Sequence, residues 1–262
     1  MKTQKITYQN TNGDSLVANY SEALDNKALV ILIHGITADK DSKGRYTKIT
    51  EQLVKNGFGV FAFDFSGCGE SADTVMSAAS LCDDLKSTIR YVSQYNSKII
   101  LWGHSIGSIA ALKCWNETIL SMVLTGVCAG PMNFDWNEYF SHEQMDELKH
   151  SPYFMAKSAS KYRNKIKISG DIIKFLEDFD QKSILSEIAS PCLLINGDQE
   201  IEEETFRKIT EKAMKFMNSQ SKHIILQGAN HGMNEFTEQI ASLGIDWINQ
   251  STVSYTHLRA HE

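Results

Sequence analysis

Residues 101–112, LWGHSIGSIAAL, place Ser105 between Gly103 and Gly107, with an apolar run on each side. The run before the serine predicts a buried strand, and the small-residue spacing after it predicts a helix. A serine at such a junction, with glycine two residues away on both sides, is typical of a nucleophile elbow, a sharp turn that exposes the hydroxyl. Glycine at these positions relieves crowding around a strained serine backbone. The stretch therefore predicts a buried sheet strand that ends at a functional edge.

Short apolar runs alternate with longer helical patterns along most of the chain. The runs are ALVILIHG, GFGVFAFDF, SKIILWGH, ILSMVLTGV, SPCLLING and KHIILQG. Amphipathic helices are expected near residues 43–55, 75–94, 106–116, 203–218 and 235–249. In the N-terminal stretch, polar and apolar residues alternate around NTNGD, which predicts a hairpin. The pattern as a whole predicts the α/β class, with a mostly parallel sheet covered by helices on both faces.

One connection is much longer than a crossover requires. After ILSMVLTGV, residues 131–185 carry helical patterns of their own and many aromatic side chains. Because loops at the carboxyl ends of parallel strands form the ligand sites of open α/β sheets, we expect these residues to form a small helical lid. Residues 1–130 and 186–250 then form the core. Residues 251–262 lack helical or strand periodicity and are interpreted as a non-native or disordered tail.

The composition narrows the classes of partner. The net charge of -6 is spread along the chain, with no basic patch for nucleic acid. No window approaches the roughly 20 apolar residues of a membrane-spanning helix, and the N-terminus lacks the apolar core of a signal peptide. The five cysteines are scattered, and His142 and His150 lack the spacing of a zinc site. These features predict a cytoplasmic protein without nucleic-acid or membrane partners and with no metal site.

A serine nucleophile requires a base, an acid that orients the base, and donors that stabilise a negatively charged oxygen. The stretch QGANHGMNEF puts His231 in the loop between the last strand and the last helix. There its imidazole would reach the edge at which Ser105 is expected. An ordinary surface histidine is the alternative interpretation, but position and chain order both favour the base.

Together these stretches resemble the α/β-hydrolase superfamily, through HGIT after an early strand, DFSGCGES after the next, GHSIG at the elbow, INGDQE and GANHG. The resemblance extends from about Lys5 to Gln250. It is strongest to short-lidded cinnamoyl and feruloyl esterases, monoacylglycerol-lipase-like enzymes and serine-aminopeptidase-like hydrolases. It implies the α/β-hydrolase fold with a small helical lid.

The orienting acid is left between two carboxylates. By resemblance it lies three residues after the glycine that ends the strand, and that position is Glu200 here, where the family usually has aspartate. Either carboxylate would hold the imidazole in the required tautomer. Asp198, one residue after that glycine, is the alternative, although an aspartate there also hydrogen-bonds its own turn. Glu200 is the preferred assignment, and Glu202 to Glu204 are interpreted as acids that complement a helix dipole.

Two backbone N–H groups are expected to form the oxyanion hole. Ile106 follows the nucleophile and begins a helix, so its N–H carries the helix dipole. The resemblance implies that Ile36, the residue after HG, supplies the other donor. The resemblance also implies structural roles for His34 and His104. The expected substrate pocket is listed as Gly35, Thr37, Phe134, Trp136 and Tyr139, with a purely structural lid core as the alternative for the aromatic residues.

The residues and the resemblance together predict a serine carboxylic ester hydrolase that uses no cofactor. Its expected substrate is a small-molecule ester with a hydroxycinnamoyl or a short to medium acyl group. The alternatives are a serine aminopeptidase, a monoacylglycerol lipase, or a non-catalytic relative that binds a ligand. An aminopeptidase would need acids for the substrate amine, and the lid offers Asp135, Glu138, Glu143 and Asp146. A homodimer is left open, because many relatives dimerise.

Overall fold

The computed structural model describes the backbone of residues 2–259 and the side chains of residues 2–251. The strands are β1 Thr3–Gln9, β2 Ser15–Ser21, β3 Leu29–Ile33, β4 Gly59–Phe63, β5 Val75–Met76, β6 Ile99–His104, β7 Ile119–Thr125, β8 Tyr153–Lys157, β9 Lys165–Ser169, β10 Cys192–Gly197 and β11 Lys222–Leu226. The α-helices are α1 Arg45–Lys55, α2 Ala78–Val92, α3 Ile106–Lys113, α4 Trp136–Tyr139, α5 His142–His150, α6 Asp171–Glu177, α7 Gln181–Ser186, α8 Ile201–Ala213 and α9 Thr237–Arg259.

The central sheet has the strand order β1-β2-β4-β3-β6-β7-β10-β11. The N-terminal strands β1 and β2 form an antiparallel hairpin, and β2 pairs antiparallel with β4. The remaining neighbours in this order, from β4 through β3, β6, β7 and β10 to β11, all pair in parallel. Every residue of β3, β4, β6, β7 and β10 is buried. Their continuous apolar runs therefore fit a sheet that is covered on both faces, as the sequence predicts.

Helices cover the two faces of this sheet unequally. Helices α1 and α9 pack together over one face, around a core that includes Tyr46, Trp102 and Ile248. Helices α2 and α3 cover the other face together with much of residues 131–185, which we call the insertion. Because the parallel strands all point the same way, their carboxyl ends and the loops that follow them meet at one edge. Ser105 lies at that edge.

The insertion differs from the helical lid expected from the sequence. Helices α4 to α7 are present, but β8 and β9 form an antiparallel hairpin, and β9 pairs in parallel with β5. The burial of YFMAK and KIKIS alternates with the period of a strand, where helices alone were expected. The expectation that Val75 begins a helix is likewise wrong, because β5 occupies Val75–Met76 and α2 begins at Ala78.

The last helix extends beyond the end of the expected core. Helix α9 continues to Arg259, so the backbone of residues 251–259 in the expected tail is helical. Residues 260–262 of that tail lie outside the described residues. Among the described helices, none combines the length and the apolar character needed to cross a bilayer.

A buried charge cluster joins the loops near the functional edge. The ammonium of Lys40 lies 2.5 Å from Asp64 and 2.7 Å from Glu70, and the Lys40 and Asp64 side chains are 1% and 0% exposed. The backbone N–H groups of Lys40 and Glu70 also donate to Asp64. Tyr162 belongs to the insertion, and the centroid of its ring lies 4.6 Å from Nζ of Lys40. The cluster thus connects the loops after β3 and β4 with the insertion.

Replacing Lys40 by methionine should lower the free energy of unfolding by about 3–5 kcal/mol, because it leaves a buried carboxylate without its counter-ion. Urea denaturation followed by tryptophan fluorescence would measure the loss. Lys149→Met is the control, since Lys149 pairs with Asp146 at the surface and is 68% exposed. Equal losses in the two variants would contradict the importance of the buried cluster.

Candidate active site

Ser105 lies at the junction of β6 and α3, with φ 55° and ψ -125°, a conformation that strains an L-residue. Close packing requires glycine on both sides of it. A Cβ atom at Gly103 would lie 2.7 Å from the backbone nitrogen of Ser108. A Cβ atom at Gly107 would lie 2.7 Å from the carbonyl oxygen of His34. The strained turn and the close approach of α3 to the loop after β3 therefore depend on both glycines.

His231, in the loop after β11, reaches this serine. Its Nε2 lies 3.0 Å from Oγ of Ser105, and its Nδ1 lies 2.5 Å from Oε1 of Glu203. In the tautomer that satisfies both contacts, Nδ1–H donates to the carboxylate and Nε2 accepts from the hydroxyl. The structure brings Ser105 and His231 together, and the three side chains have the geometry of a serine–histidine–acid triad.

Neither carboxylate expected from the sequence contacts the imidazole. Glu200 accepts a long hydrogen bond, 3.3 Å, from the backbone N–H of His231. Asp198 accepts a hydrogen bond of 2.7 Å from the backbone N–H of Gly228, which ties together the loops after β10 and β11. The assignment of Glu200 as the orienting acid, with Asp198 as the alternative, is therefore wrong. The carboxylate at Nδ1 is Glu203.

Glu203 lies in the first turn of α8, where the sequence analysis assigned it only to the helix dipole. Its side chain is fully buried, whereas Glu204 is exposed. The buried residues of α8 recur at intervals of three and four: Glu203, Phe206, Thr210 and Ala213. A carboxylate on the buried face of a helix requires a partner. That periodicity was the available signal, and the partner is His231.

Further hydrogen bonds fix the second oxygen of Glu203. Its Oε2 accepts from the backbone N–H of Gly197 at 2.7 Å and from the side-chain amide of Asn196 at 3.1 Å. The amide oxygen of Asn196 in turn accepts from the Nε2–H of His223 at 3.0 Å. A continuous chain of hydrogen bonds thus extends from Ser105 to the edge strand β11.

These contacts shift the pKa values of the acid and the base in opposite directions. Burial alone would raise the pKa of the Glu203 carboxyl, but the hydrogen bonds that it accepts, above all from His231, hold that pKa below its ordinary value. Burial alone would lower the pKa of His231. The hydrogen bond to Glu203 and the negative charges of Glu202 and Glu203 nevertheless raise it above the ordinary value for histidine, against the positive charge of Arg45.

A cavity of about 230 Å³ opens over Ser105 and His231. Two of the five expected pocket residues, Gly35 and Tyr139, line it, and so does Ile36, which was expected as an oxyanion donor. Its charged lining residues are Asp39, Lys43, Arg45 and Glu202. The cavity is therefore small and rich in charged groups.

Comparison with protein families matches residues 25–223 to the family described as serine aminopeptidase, S33. The chain belongs to this family. A comparison with curated proteins gave no significant match.

Solved structures with the same fold include several α/β hydrolases. The α/β hydrolase GrgF from Penicillium sp. sh18 is 14% identical, with 97% of this chain and 100% of that chain covered and a TM-score of 0.77. Est1E from Butyrivibrio proteoclasticus, solved with ferulic acid bound, is 16% identical, with 95% and 99% covered and a TM-score of 0.73. A thermophilic esterase from Thermogutta terrifontis is 17% identical, with 96% and 100% covered and a TM-score of 0.68. At these identities the likeness shows the fold alone.

The remaining expected pocket residues do not line the cavity of this S33 family member. The carbonyl of Thr37 accepts from the backbone N–H of Ala159 at 2.9 Å, so it anchors the insertion. Phe134 stacks on Phe206, with ring centroids 6.1 Å apart. Trp136 is buried, and its indole N–H donates to Glu177 at 2.6 Å. The expectation that these three residues form the pocket is wrong, since they pack within and beneath the insertion.

Two further histidines near the elbow have structural contacts. Nδ1 of His34 donates to the Gly35 carbonyl at 2.7 Å, and its Nε2 accepts from the Phe65 N–H at 3.1 Å. Nδ1 of His104 lies 3.0 Å from the hydroxyl of Thr125. Burial lowers the pKa of both imidazoles. Their hydrogen bonds fix the loops around Ser105.

Glu203→Gln should lower the pKa of the His231 imidazole. The amide removes one of the two negative charges that raise this pKa, while the opposing effect of burial remains. NMR titration of the histidine ring resonances would measure the shift. Glu204→Gln is the matched control, because the neighbouring Glu204 is exposed and pairs with Lys208. An unchanged His231 pKa in Glu203→Gln, or equal shifts in both variants, would contradict the contact with Glu203.

Proposed function

We propose that the protein is a serine hydrolase that cleaves small carboxylic esters by acyl transfer through Ser105, His231 and Glu203. The observation that carries this proposal is the unbroken contact from hydroxyl to imidazole to carboxylate, with separations of 3.0 and 2.5 Å. A serine with only a structural role at the turn needs neither an aligned base nor a buried carboxylate behind that base. Membership of the S33 family supports the hydrolase class.

In the first step, Oγ of Ser105 attacks the carbonyl carbon of the ester while its proton passes to Nε2 of His231. The tetrahedral intermediate collapses as His231 gives that proton to the leaving oxygen, which releases the alcohol and leaves the acyl group on Ser105. Water, deprotonated by the same imidazole, then attacks the acyl-enzyme, and His231 returns the proton to Oγ of Ser105 as the acid is released. Glu203 remains ionised and stabilises the imidazolium in both steps.

The negative oxygen of the intermediate requires backbone donors, and we assign these to the N–H groups of Ile36 and Ile106. Ile106 is the first residue of α3, so its N–H has no acceptor within the helix and lies at the positive end of the helix dipole. Ile36 lines the cavity together with Ser105. The absence of a side chain at Gly35 leaves room beside Ser105, since a Cβ there would lie 3.4 Å from the Cβ of the serine.

The size of the cavity favours small substrates. Its volume of about 230 Å³ lies below the roughly 300–1,000 Å³ of pockets that bury drug-sized ligands. Short acyl groups are therefore preferred over long fatty-acyl groups, which disfavours a monoacylglycerol lipase. The fold is shared with Est1E, which was solved with ferulic acid bound, so methyl ferulate belongs among the esters to be tested.

A serine aminopeptidase is the second candidate. It is favoured by the description of the family and by the carboxylates of Asp39 and Glu202 in the cavity, which suit a substrate amine. The acids that the sequence analysis suggested for this role do not line the cavity: Asp135, Glu138, Glu143 and Asp146. Cleavage of aminoacyl anilides distinguishes this candidate from the esterase.

Hydrolysis of a panel of 4-nitrophenyl esters from acetyl to dodecanoyl, with methyl ferulate, a monoacylglycerol and aminoacyl anilides, tests the proposal. We expect the highest kcat/KM for a short acyl ester. Ser105→Ala should lose roughly 10⁵–10⁶-fold in kcat, and Glu203→Gln roughly 10³–10⁴-fold, because the base is then no longer oriented. Glu200→Gln and Asp198→Asn should lose far less, since neither carboxylate contacts the imidazole.

Three outcomes would change this assignment. Wild-type activity in Ser105→Ala, or failure of a fluorophosphonate to modify Ser105, would contradict acyl transfer and favour a ligand-binding role without catalysis. A preference for aminoacyl anilides would favour the aminopeptidase. A larger loss in Glu200→Gln than in Glu203→Gln would overturn the assignment of the acid.

The kcat/KM for the preferred ester should rise with pH and level off above the pKa of His231. The imidazole must be neutral to accept the serine proton, so the protonated form below that pKa is inactive. Because the pKa is raised, the midpoint should lie above the ordinary histidine value. In Glu203→Gln the midpoint of the residual activity should move to lower pH. A midpoint that stays in place would mean that another group controls the profile.

A further inference from the structure

Arg45 places a buried guanidinium at the wall of the catalytic cavity. It is the first residue of α1, it lines the cavity together with Ser105 and His231, and it is 5% exposed. Transferring a full charge from water into a protein interior is costly unless an opposite charge accompanies it. The charges around Arg45 therefore decide what this side chain can do.

Among the residues that the structure describes, the hydrogen-bond partners of Arg45 are all neutral. Its Nη1 donates to the carbonyl of Gly232 at 2.7 Å, and its Nη2 lies 3.3 Å from the hydroxyl of Ser42. Its Nε finds no acceptor in the part of the chain that the structure describes. No ion pair among the described residues includes Arg45. The guanidinium thus has a positive charge without a counter-ion.

The two carboxylates in the cavity already have other partners. Asp39 accepts from the backbone N–H groups of Asp41 and Ser42 at 3.0 Å, and from the hydroxyl of Ser160 at 2.6 Å. Glu202 accepts from the hydroxyl of Tyr139 at 2.7 Å. Neither is within ion-pair distance of Arg45. The lining around Arg45 instead adds the cation Lys43 and the positive end of α1.

The position of Arg45 relates it to the leaving group of the reaction. Its guanidinium donates to Gly232, the residue directly after His231. In acyl transfer the histidine delivers its proton to the leaving oxygen, so the leaving group departs on the side of His231. An anion beside Arg45 would therefore belong to the leaving group rather than to the acyl group.

We propose that Arg45 binds a carboxylate on the leaving group, so that the preferred substrates are acyl esters of hydroxy acids. This inference rests on the proposed function and names the substrate class of the same site. The planar fork of arginine fits the two oxygens of a carboxylate, and a bound carboxylate supplies the counter-ion that the protein lacks. Lys43 at the rim adds a second positive charge.

The test compares two acetyl esters that differ in one charge, 4-acetoxybenzoate and 4-acetoxybenzamide, in the wild type, Arg45→Gln and Arg45→Lys. For each protein, the charge preference is the kcat/KM for 4-acetoxybenzoate divided by the kcat/KM for 4-acetoxybenzamide. Comparing the charge preference of a variant with that of the wild type cancels the intrinsic difference between the two leaving groups. We expect Arg45→Gln to lower the charge preference by about 30-fold or more relative to the wild type. Arg45→Lys should keep part of the wild-type charge preference. Lys48→Gln, an exposed residue of α1 outside the cavity, is the matched control and should leave the charge preference unchanged.

A second comparison locates the anion. Mono(4-nitrophenyl) glutarate has its carboxylate on the acyl group, and 4-nitrophenyl pentanoate is its neutral counterpart. Arg45→Gln should change the ratio of these two substrates little. A large change here, with none for the acetoxybenzoate pair, would overturn the assignment to the leaving group.

Direct binding separates failure of this inference from failure of the proposed function and from misfolding. Calorimetry with 4-hydroxybenzoate and 4-hydroxybenzamide, on the wild type and on Ser105→Ala, needs no catalysis. Preferential binding of the carboxylate to both proteins would support the inference even if no ester were cleaved. Equal binding of the two compounds would overturn it, whether or not Ser105 reacts with a fluorophosphonate.

Discussion

Ser105 keeps a backbone conformation that an isolated chain would avoid, at a cost on the order of 1–3 kcal/mol, because α3 packs directly against the loop after β3. Gly103 and Gly107 make that approach possible, and the fully buried strands β3 and β6 hold the two sides of it in place. The base and the acid reach the serine from other elements at the same carboxyl edge. The site therefore depends on the sheet before it depends on any single polar contact.

A helix, rather than a loop, fixes the position of the Glu203 carboxylate. Its position in the first turn of α8 fixes the backbone, and the N–H of Gly197 and the amide of Asn196 occupy the oxygen that does not contact His231. A carboxylate whose two oxygens are both engaged keeps one orientation, which is the requirement for a preorganised site. The same contacts hold the pKa of this carboxyl below its ordinary value although it is buried.

Most of the core could be predicted from the sequence because its strands are continuous apolar runs and its helices have regular amphipathic spacing. The elbow and His231 could be located because their neighbours in sequence determine their geometry. The acid could not be located from the strand-end glycine, since the loop carries Glu200 outward and α8 brings Glu203 in. Strands β5, β8 and β9 were missed because they are short, and because β5 pairs with a strand that lies far away in the chain. The contacts of Phe134, Trp136 and Thr37 were missed because their partners Phe206, Glu177 and Ala159 lie far from them in the chain.

The two flanks of the cavity are attached to the core by different kinds of contact. On one flank, backbone pairing of β9 with β5 and the hydrogen bond from Ala159 to the Thr37 carbonyl anchor the insertion. On the other flank, α4 is held by side chains, through the hydrogen bond from Tyr139 to Glu202 and the packing of Phe134 on Phe206. Breaking one side-chain hydrogen bond costs about 1 kcal/mol, far less than separating paired strands. Side-chain substitutions should therefore reshape the α4 flank of the cavity more readily than the hairpin flank, whose anchors are backbone groups.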